Sequence, residues 1–222
     1  MSKAKYIAIE GIDGSGKGTQ TTLLHERLLA DGFKSSLISF PHYSGIFGKE
    51  IGHFLTGKNG ITANDIDPKS MALWFAADRA SLLPNLKTLE QKMDYIIFDR
   101  YVYSNIAYQA QRVQESERTE FINWIRKVEF EAFKIPTRDV TIVLDILPDI
   151  SIANVTKKGI RAYTEEADVY EKNSNMISIA RDVYKALSRD DENCKIINCM
   201  KNNTEMLTKT EISELIFQNC PL

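Results

Sequence analysis

Apolar residues gather in five short runs along the chain, at Tyr6 to Ile9, Ser36 to Phe40, Tyr95 to Phe98, Val140 to Leu144 and Lys195 to Asn198. These are runs rich in Ile, Val and aromatics and not an alternation with polar residues, the pattern of strands covered on both faces in a parallel sheet. Longer stretches with helical spacing lie between them. The first, Lys17 to about Ala30, sets Leu23, Leu24, Leu28 and Ala30 on neighbouring turns, and Gly32 is placed to end it. Further helices are predicted over Lys69 to Lys92, Tyr103 to Arg112, Glu117 to Phe133, Ile150 to Lys157, Ser174 to Leu187 and Thr204 to Phe217. Strand and helix taken in this order predict an α/β fold with right-handed crossovers. No internal repeat, low-complexity segment or linker divides the sequence, so residues 1–222 are expected to form one domain.

Composition narrows the class. With 43% hydrophobic residues and only 11 Gly and 6 Pro in 222 residues, the chain is neither disordered nor collagen-like, and its 3 Cys would leave one unpaired in a disulfide scaffold. A reducing compartment fits that usage, and Cys194, Cys199 and Cys220 lack the spacing of a metal site. A spanning helix needs about 20 consecutive apolar residues; the longest apolar stretches here are strand-length. The apolar segment after Met1 to Lys5 is broken by Glu10 and glycines before an export-signal core forms. The expectation is a cytoplasmic protein with no membrane partner. Its 28 Lys plus Arg and 30 Asp plus Glu leave a net charge of -2, which gives no general attraction to nucleic acid. Any polyanion site must be a local gathering of Lys, Arg and backbone N–H groups.

Such a gathering is present. Gly11-Ile12-Asp13-Gly14-Ser15-Gly16-Lys17-Gly18-Thr19 follows the first strand and opens the first helix, the context of a phosphate-binding loop. Glycines let consecutive N–H groups turn inward onto phosphate oxygens, the helix N-terminus adds partial positive charge and Lys17 adds a full one. Gly18 stands where Ser or Thr normally offers a hydroxyl to magnesium, with Thr19 one residue later. Magnesium could still be held by ATP oxygens and waters, since this ion takes few protein ligands. The departure points to small-molecule kinases and away from switch GTPases.

Asp99-Arg100-Tyr101 directly follows the third apolar run, at the carboxyl end of a strand expected beside the first, where ligands bind in open α/β sheets. An acid there can orient magnesium waters and an arginine can clamp a phosphate on a second substrate. Taken alone, the pair reads equally as an ion pair at a helix start.

Three further segments bear on the choice: Phe40-Pro41-His42-Tyr43, Leu73-Trp74-Phe75-Ala76-Ala77-Asp78-Arg79, and Asp99-Arg100-Tyr101-Val102-Tyr103-Ser104-Asn105-Ile106-Ala107-Tyr108-Gln109. With Asp13 in the loop, and with Pro136, Asp145, Pro148 and Asp168-Val169-Tyr170-Glu171 following in order, the sequence resembles the thymidylate kinases. The resemblance implies a phosphate-loop fold with a five-stranded parallel sheet, helices on both faces and a mobile lid over about residues 157–172. It implies transfer of the γ-phosphoryl of ATP to the 5′-phosphate of dTMP, giving dTDP and ADP for dTTP synthesis, with Mg2+, in a homodimer. Phosphoryl transfer asks mainly for alignment and charge neutralisation, so no general-base triad is expected, and no clustered Ser, His and Asp signature occurs.

By the same resemblance, Gly11, Gly14, Ser15, Gly16, Lys17, Gly18 and Thr19 hold the donor phosphates, and Asp13 sits between donor and acceptor. Arg100 clamps the acceptor phosphate, with Tyr43 and Ser104 nearby, and Asp99 organises magnesium through water. Phe75 and Arg79, four apart on one helix face, stack on and hydrogen-bond a pyrimidine, while Trp74 belongs to the core. Asn105 and Tyr108 face the thymine edge and the deoxyribose, Tyr108 filling the space of a 2′-hydroxyl. His42 stands where the family often has arginine, which weakens the case for a permanent cation there. From the lid, Lys157, Lys158 and Arg161 reach the transferring group, with Arg161 the choice for the catalytic arginine because the loop itself contains none. Phe121, Trp124, Ile125, Val128 and Phe133 are read as core and in part as dimer surface. Two alternatives remain: another nucleoside monophosphate kinase, and a phosphate-loop nucleotide-binding switch, which the absence of an Asn-Lys-x-Asp motif disfavours.

Overall fold

The computed structural model describes residues 3–158 and 174–221. The five apolar runs become five strands, β1 (Lys5–Glu10), β2 (Ser35–Ser39), β3 (Tyr95–Asp99), β4 (Val140–Asp145) and β5 (Cys194–Asn198). They form one sheet in the order β2-β3-β1-β4-β5 with every pairing parallel. β1 is buried along all but its first residue and β4 throughout, which is why neither alternates. The register sets Ile9 opposite both Asp99 and Ile142, and Ser39 opposite Asp99. The segments leaving β1, β2 and β3 therefore emerge side by side at one edge.

The helices are α1 (Lys17–Ala30), α2 (Ile46–Thr56), α3 (Pro68–Ser81), α4 (Leu83–Glu90), α5 (Val102–Ala110), α6 (Arg118–Arg126), α7 (Pro148–Lys158), α8 (Ser174–Arg189) and α9 (Lys209–Gln218). α1 packs over β1, β2 and β3, α9 packs on α1 and β5, and α5 packs with α3, α6 and α8. None of the described helices is long and apolar enough to cross a membrane.

Several boundaries differ from the sequence expectation. The single helix expected from Lys69 to Lys92 is two, broken at Leu82, because Pro84 cannot donate back into the preceding turn and instead occupies the first turn of α4. α3 starts one residue earlier than expected, at Pro68, with the Asp67 carboxylate accepting from the N–H groups of Lys69 and Ser70. The expected helix from Glu117 to Phe133 is a 3-10 turn (Glu115–Glu117), α6, and a π-helical turn (Lys127–Ala132). α9 begins at Lys209 and not at Thr204, because Thr208 and Glu211 form a capping box that fixes the start. Lys157 and Lys158, assigned to the lid, lie in α7. α2 was not anticipated. Its glycines lower helix propensity, but a Cβ on Gly48 would lie 2.1 Å from the carbonyl oxygen of His42, so glycine permits α2 to pack onto the turn that leaves β2.

Candidate active site

The loop between β1 and α1 is shaped by close backbone approaches. Gly11 has φ 138°, and a Cβ there would lie 2.6 Å from the carbonyl oxygen of Leu144 on β4. Gly16, at φ 92°, is the N-cap of α1 and supplies no side-chain acceptor, so the first-turn N–H groups of α1 remain for an anion. Lys17 is buried and donates from Nζ to the carbonyl oxygen of Ile12 at 2.8 Å, folded back over the loop. Burial, with Arg100 as a neighbouring cation, lowers its pKa to about 7 against the opposing pull of Asp13, Asp99 and Glu10.

The second corner is built where β3 ends. Arg100 takes a left-handed backbone at φ 67°, unusual for a side chain of its size, and its N–H donates to the carbonyl oxygen of Ile9 at 3.1 Å. Its guanidinium bonds the Asp13 carboxylate, donates to Ser104 Oγ at 3.2 Å and lies 5.3 Å from the centre of the Tyr108 ring. The Tyr108 hydroxyl donates to Asp13 Oδ2 at 2.5 Å and accepts the Asp13 N–H at 3.0 Å. An acid within a phosphate loop, unfavourable beside anions, is thus tied to an arginine and a tyrosine.

Two residues of this corner were not anticipated from the sequence. Glu10, fully buried at the end of β1, accepts from the N–H groups of Tyr101 at 2.8 Å and Ser104 at 3.0 Å, from Ser104 Oγ at 2.5 Å and from the Tyr184 hydroxyl at 3.2 Å. It does for the start of α5 what a local N-cap side chain does elsewhere, from another strand. Its only sequence signal was an acid closing a buried apolar run. Tyr184 is the sole described link from α8 to this carboxylate and carried no such signal.

A cleft of about 190 Å³ opens beside these corners. Asp13, Asp99, Arg100, Ser104, Asn105 and Tyr108 line it together with Tyr43, Phe75 and Arg79, so every residue expected to meet the second substrate is brought to one cavity. Phe75 is half-buried, while Arg79 is 2% exposed. Arg79 donates from Nε to Glu129 Oε2 at 3.0 Å and from Nη2 to Oε1. Asn105 donates from Nδ2 to Glu129 Oε1 at 2.8 Å and to the carbonyl oxygen of Ala72 at 3.0 Å. Trp74 packs on Phe47 and Phe54, as a core residue should. His42 does not line the cleft; its N–H donates to Asp78 Oδ2 at 2.8 Å and its ring meets Ser44. Arg161 lies outside the described residues, as does the lid beyond Lys158.

No group of three or more candidate metal ligands occurs among the described residues. Asp99 still suits a hard cation: its Oδ2 lies 3.2 Å from where a Cβ on Gly18 would stand, so the missing side chain of Gly18 leaves space between a carboxylate and the phosphate loop. One carboxylate plus substrate phosphates is a donor set that magnesium accepts.

Comparison with known proteins agrees with this geometry. The family model described as thymidylate kinase matches residues 9–210. The chain is 33% identical over 209 residues to a probable thymidylate kinase of Sulfolobus acidocaldarius, covering 92% of this chain and 93% of that one. It is 30% identical over 183 residues to the thymidylate kinase of Mycobacterium tuberculosis, covering 82% and 85%. The solved structure of thymidylate kinase from Candida albicans superposes with a TM-score of 0.75 at 25% identity, covering 98% of this chain and 92% of that one. The chain belongs to the thymidylate kinase family.

Proposed function

We propose that this chain transfers the γ-phosphoryl of ATP to the 5′-phosphate of dTMP, producing dTDP and ADP. The observation that carries this reading is the placement of Asp13. It sits in the phosphate loop and is bonded to Arg100 and Tyr108 at the second corner, so two anion-handling sites share one junction. Phosphoryl transfer needs two phosphates aligned in line and their charge neutralised, and the acceptor phosphate is itself the nucleophile.

In this reading, the amides of Gly14 to Thr19 and the Lys17 ammonium hold the donor phosphates, Lys17 leaving Ile12 to do so. Arg100 holds the acceptor phosphate, and Tyr43 closes that end of the cleft. Ser104 is held between Glu10 and Arg100, so it orients the clamp from behind. Phe75 offers a ring face to the pyrimidine, Arg79 and Asn105 meet its polar edge, and Tyr108 fills the sugar end. Asp99 would hold magnesium, which when bound supplies positive charge to the phosphate oxygens.

We further read the active form as a homodimer in the cytoplasm. Ile46 at 83% and Leu73 at 40% exposure leave apolar surface on α2 and α3, beside Phe47 and Trp74, that a second copy would cover. Sedimentation of the pure protein at micromolar concentration tests the assembly.

The activity is tested by supplying purified protein with ATP, Mg2+ and each nucleoside monophosphate in turn and following ADP. ADP release that requires dTMP and yields dTDP is expected. Nucleotide turnover indifferent to the acceptor would overturn the reading in favour of a switch.

A further inference from the structure

Glu129 is fully buried, lines no part of the cleft and has no place in the roles assigned so far. It rides on the π-helical turn Lys127–Ala132, a local irregularity of the kind that recurs at functional positions. Both of its oxygens are committed to two residues of the cleft wall, Arg79 and Asn105.

That commitment settles the orientation of the Asn105 amide. A carboxylate and a backbone carbonyl only accept, so the Asn105 group 2.8 Å from Glu129 and 3.0 Å from Ala72 must be the NH2 end. The opposite end, Oδ1, is buried and has no hydrogen-bond partner among the described residues. Arg79, which shares Glu129 Oε1 with the Asn105 NH2 and lines the same cleft, can only donate. One wall of the cleft therefore offers both an unmet acceptor and a donor. A carbonyl adjacent to an imide N–H, as in thymine or uracil, matches that pair. Cytosine inverts it, with an amino donor where the carbonyl was and a bare ring nitrogen where the N–H was.

Glu129 acts on charge as well. An unpaired guanidinium deep in a cleft would attract a phosphate and invite the nucleotide to enter reversed. Pairing with a buried carboxylate removes that attraction while leaving Arg79 a hydrogen-bond donor.

We propose that Glu129 is a specificity-determining positioning residue, which by holding Arg79 and the Asn105 amide in one orientation makes the cleft select keto over amino pyrimidine monophosphates. This rests on the reading of the cleft as the acceptor-nucleotide site.

The test measures kcat and KM for dTMP, dUMP and dCMP in the unaltered protein and in Glu129→Gln, in which an NH2 replaces one of the oxygens that accept from Arg79 and Asn105. Failure of the unaltered protein to use dTMP would overturn the function itself, separately from the role of Glu129. With that activity present, Glu129→Gln is expected to raise KM for dTMP and dUMP in parallel by tenfold or more, to change kcat little, and to lower the dTMP to dCMP ratio of kcat/KM at least tenfold. An unchanged ratio would overturn the proposal, as would equal losses with all three acceptors. Should Glu129→Gln fail to fold, hydrogen exchange at the Asn105 side-chain amide, followed by 15N NMR in the unaltered protein, decides. Both amide protons are expected to be protected without nucleotide and to remain so with dTMP. Fast exchange that slows on dTMP binding would mean that the NH2 end faces the ligand, against the proposal.

Discussion

Tyr108 and Asp13 exchange two hydrogen bonds, the hydroxyl donating to the carboxylate at 2.5 Å and accepting the backbone N–H of the same residue at 3.0 Å. A helix that begins after β3 is thereby fastened to a loop that begins after β1. The ring and the hydroxyl of Tyr108 then have separable duties. Tyr108→Phe keeps the bulk at the sugar end but removes the hydroxyl bonded to the Asp13 carboxylate and N–H, at a cost of about 1.5–3 kcal/mol in stability. It is expected to lower kcat while preserving the preference for deoxyribose acceptors. Tyr108→Ala should relax that preference as well. Paired dTMP and TMP kinetics check both, and an unchanged preference ratio in Tyr108→Ala would remove Tyr108 from the sugar pocket.

Lys17 should give the phosphate loop a pH signature. Burial and Arg100 hold its pKa at about 7, below the ordinary lysine value of about 10.4. Between those values the unfolded chain binds more protons than the native one, so this residue makes stability rise with pH across the window and contributes no slope below it. Phosphates favour the charged ammonium, so ATP binding above pH 7 should take up a proton. Calorimetry at pH 8.5 in buffers of different ionisation enthalpy should find close to one proton taken up per ATP, and Lys17→Met should abolish it. Equal heats across buffers after correction would refute the assignment. The same substitution should cut kcat by about 100-fold or more, as loss of a group stabilising transition-state charge does.

Glu10 holds the start of α5 from the end of β1 through three donors and takes a fourth from Tyr184 on α8. Glu10→Gln replaces one accepting oxygen with an NH2 that faces donors, so a buried mismatch of about 1–3 kcal/mol is expected in urea unfolding. Because Ser104 steadies the Arg100 guanidinium, KM for the acceptor should rise more than KM for ATP. Equal shifts in the two KM values would count against a role at the acceptor corner.

Gly48→Ala tests the unanticipated helix. Its new methyl, fixed to the helix backbone, would collide with the backbone carbonyl of His42 at 2.1 Å, so α2 or the turn before Tyr43 must move. Overpacking of this kind costs about 1–3 kcal/mol. Thermal unfolding should record the loss, and the acceptor KM should rise through displacement of Tyr43. A melting temperature within error of the parent would mean that α2 packs more loosely.

Legibility from sequence followed the range of the interactions concerned. β1 and β4 were readable because a strand buried on both faces writes an uninterrupted apolar run, and the phosphate loop because its glycines, lysine and helix are contiguous. The corner at Asp99 and Arg100 was located by its place after a strand. Glu10 and Glu129 were not readable: each looks like an ordinary acid in its own segment, and only partners 91 and 50 residues away make it a buried hub. α2 was hidden by glycines whose purpose is tertiary. The break at Leu82 has a local cause in Pro84, which lies in the first turn of α4.

The pairing of Ile9 with Asp99 in adjacent parallel strands means that the two half-sites are gauged by peptide hydrogen bonding, at the roughly 4.8 Å pitch common to all sheets. The gap between the two strand ends that carry the phosphate loop and the Arg100 corner is thus set by the buried sheet. Warming should leave that gap constant until the central strands themselves separate, so catalytic competence and sheet integrity should be lost together.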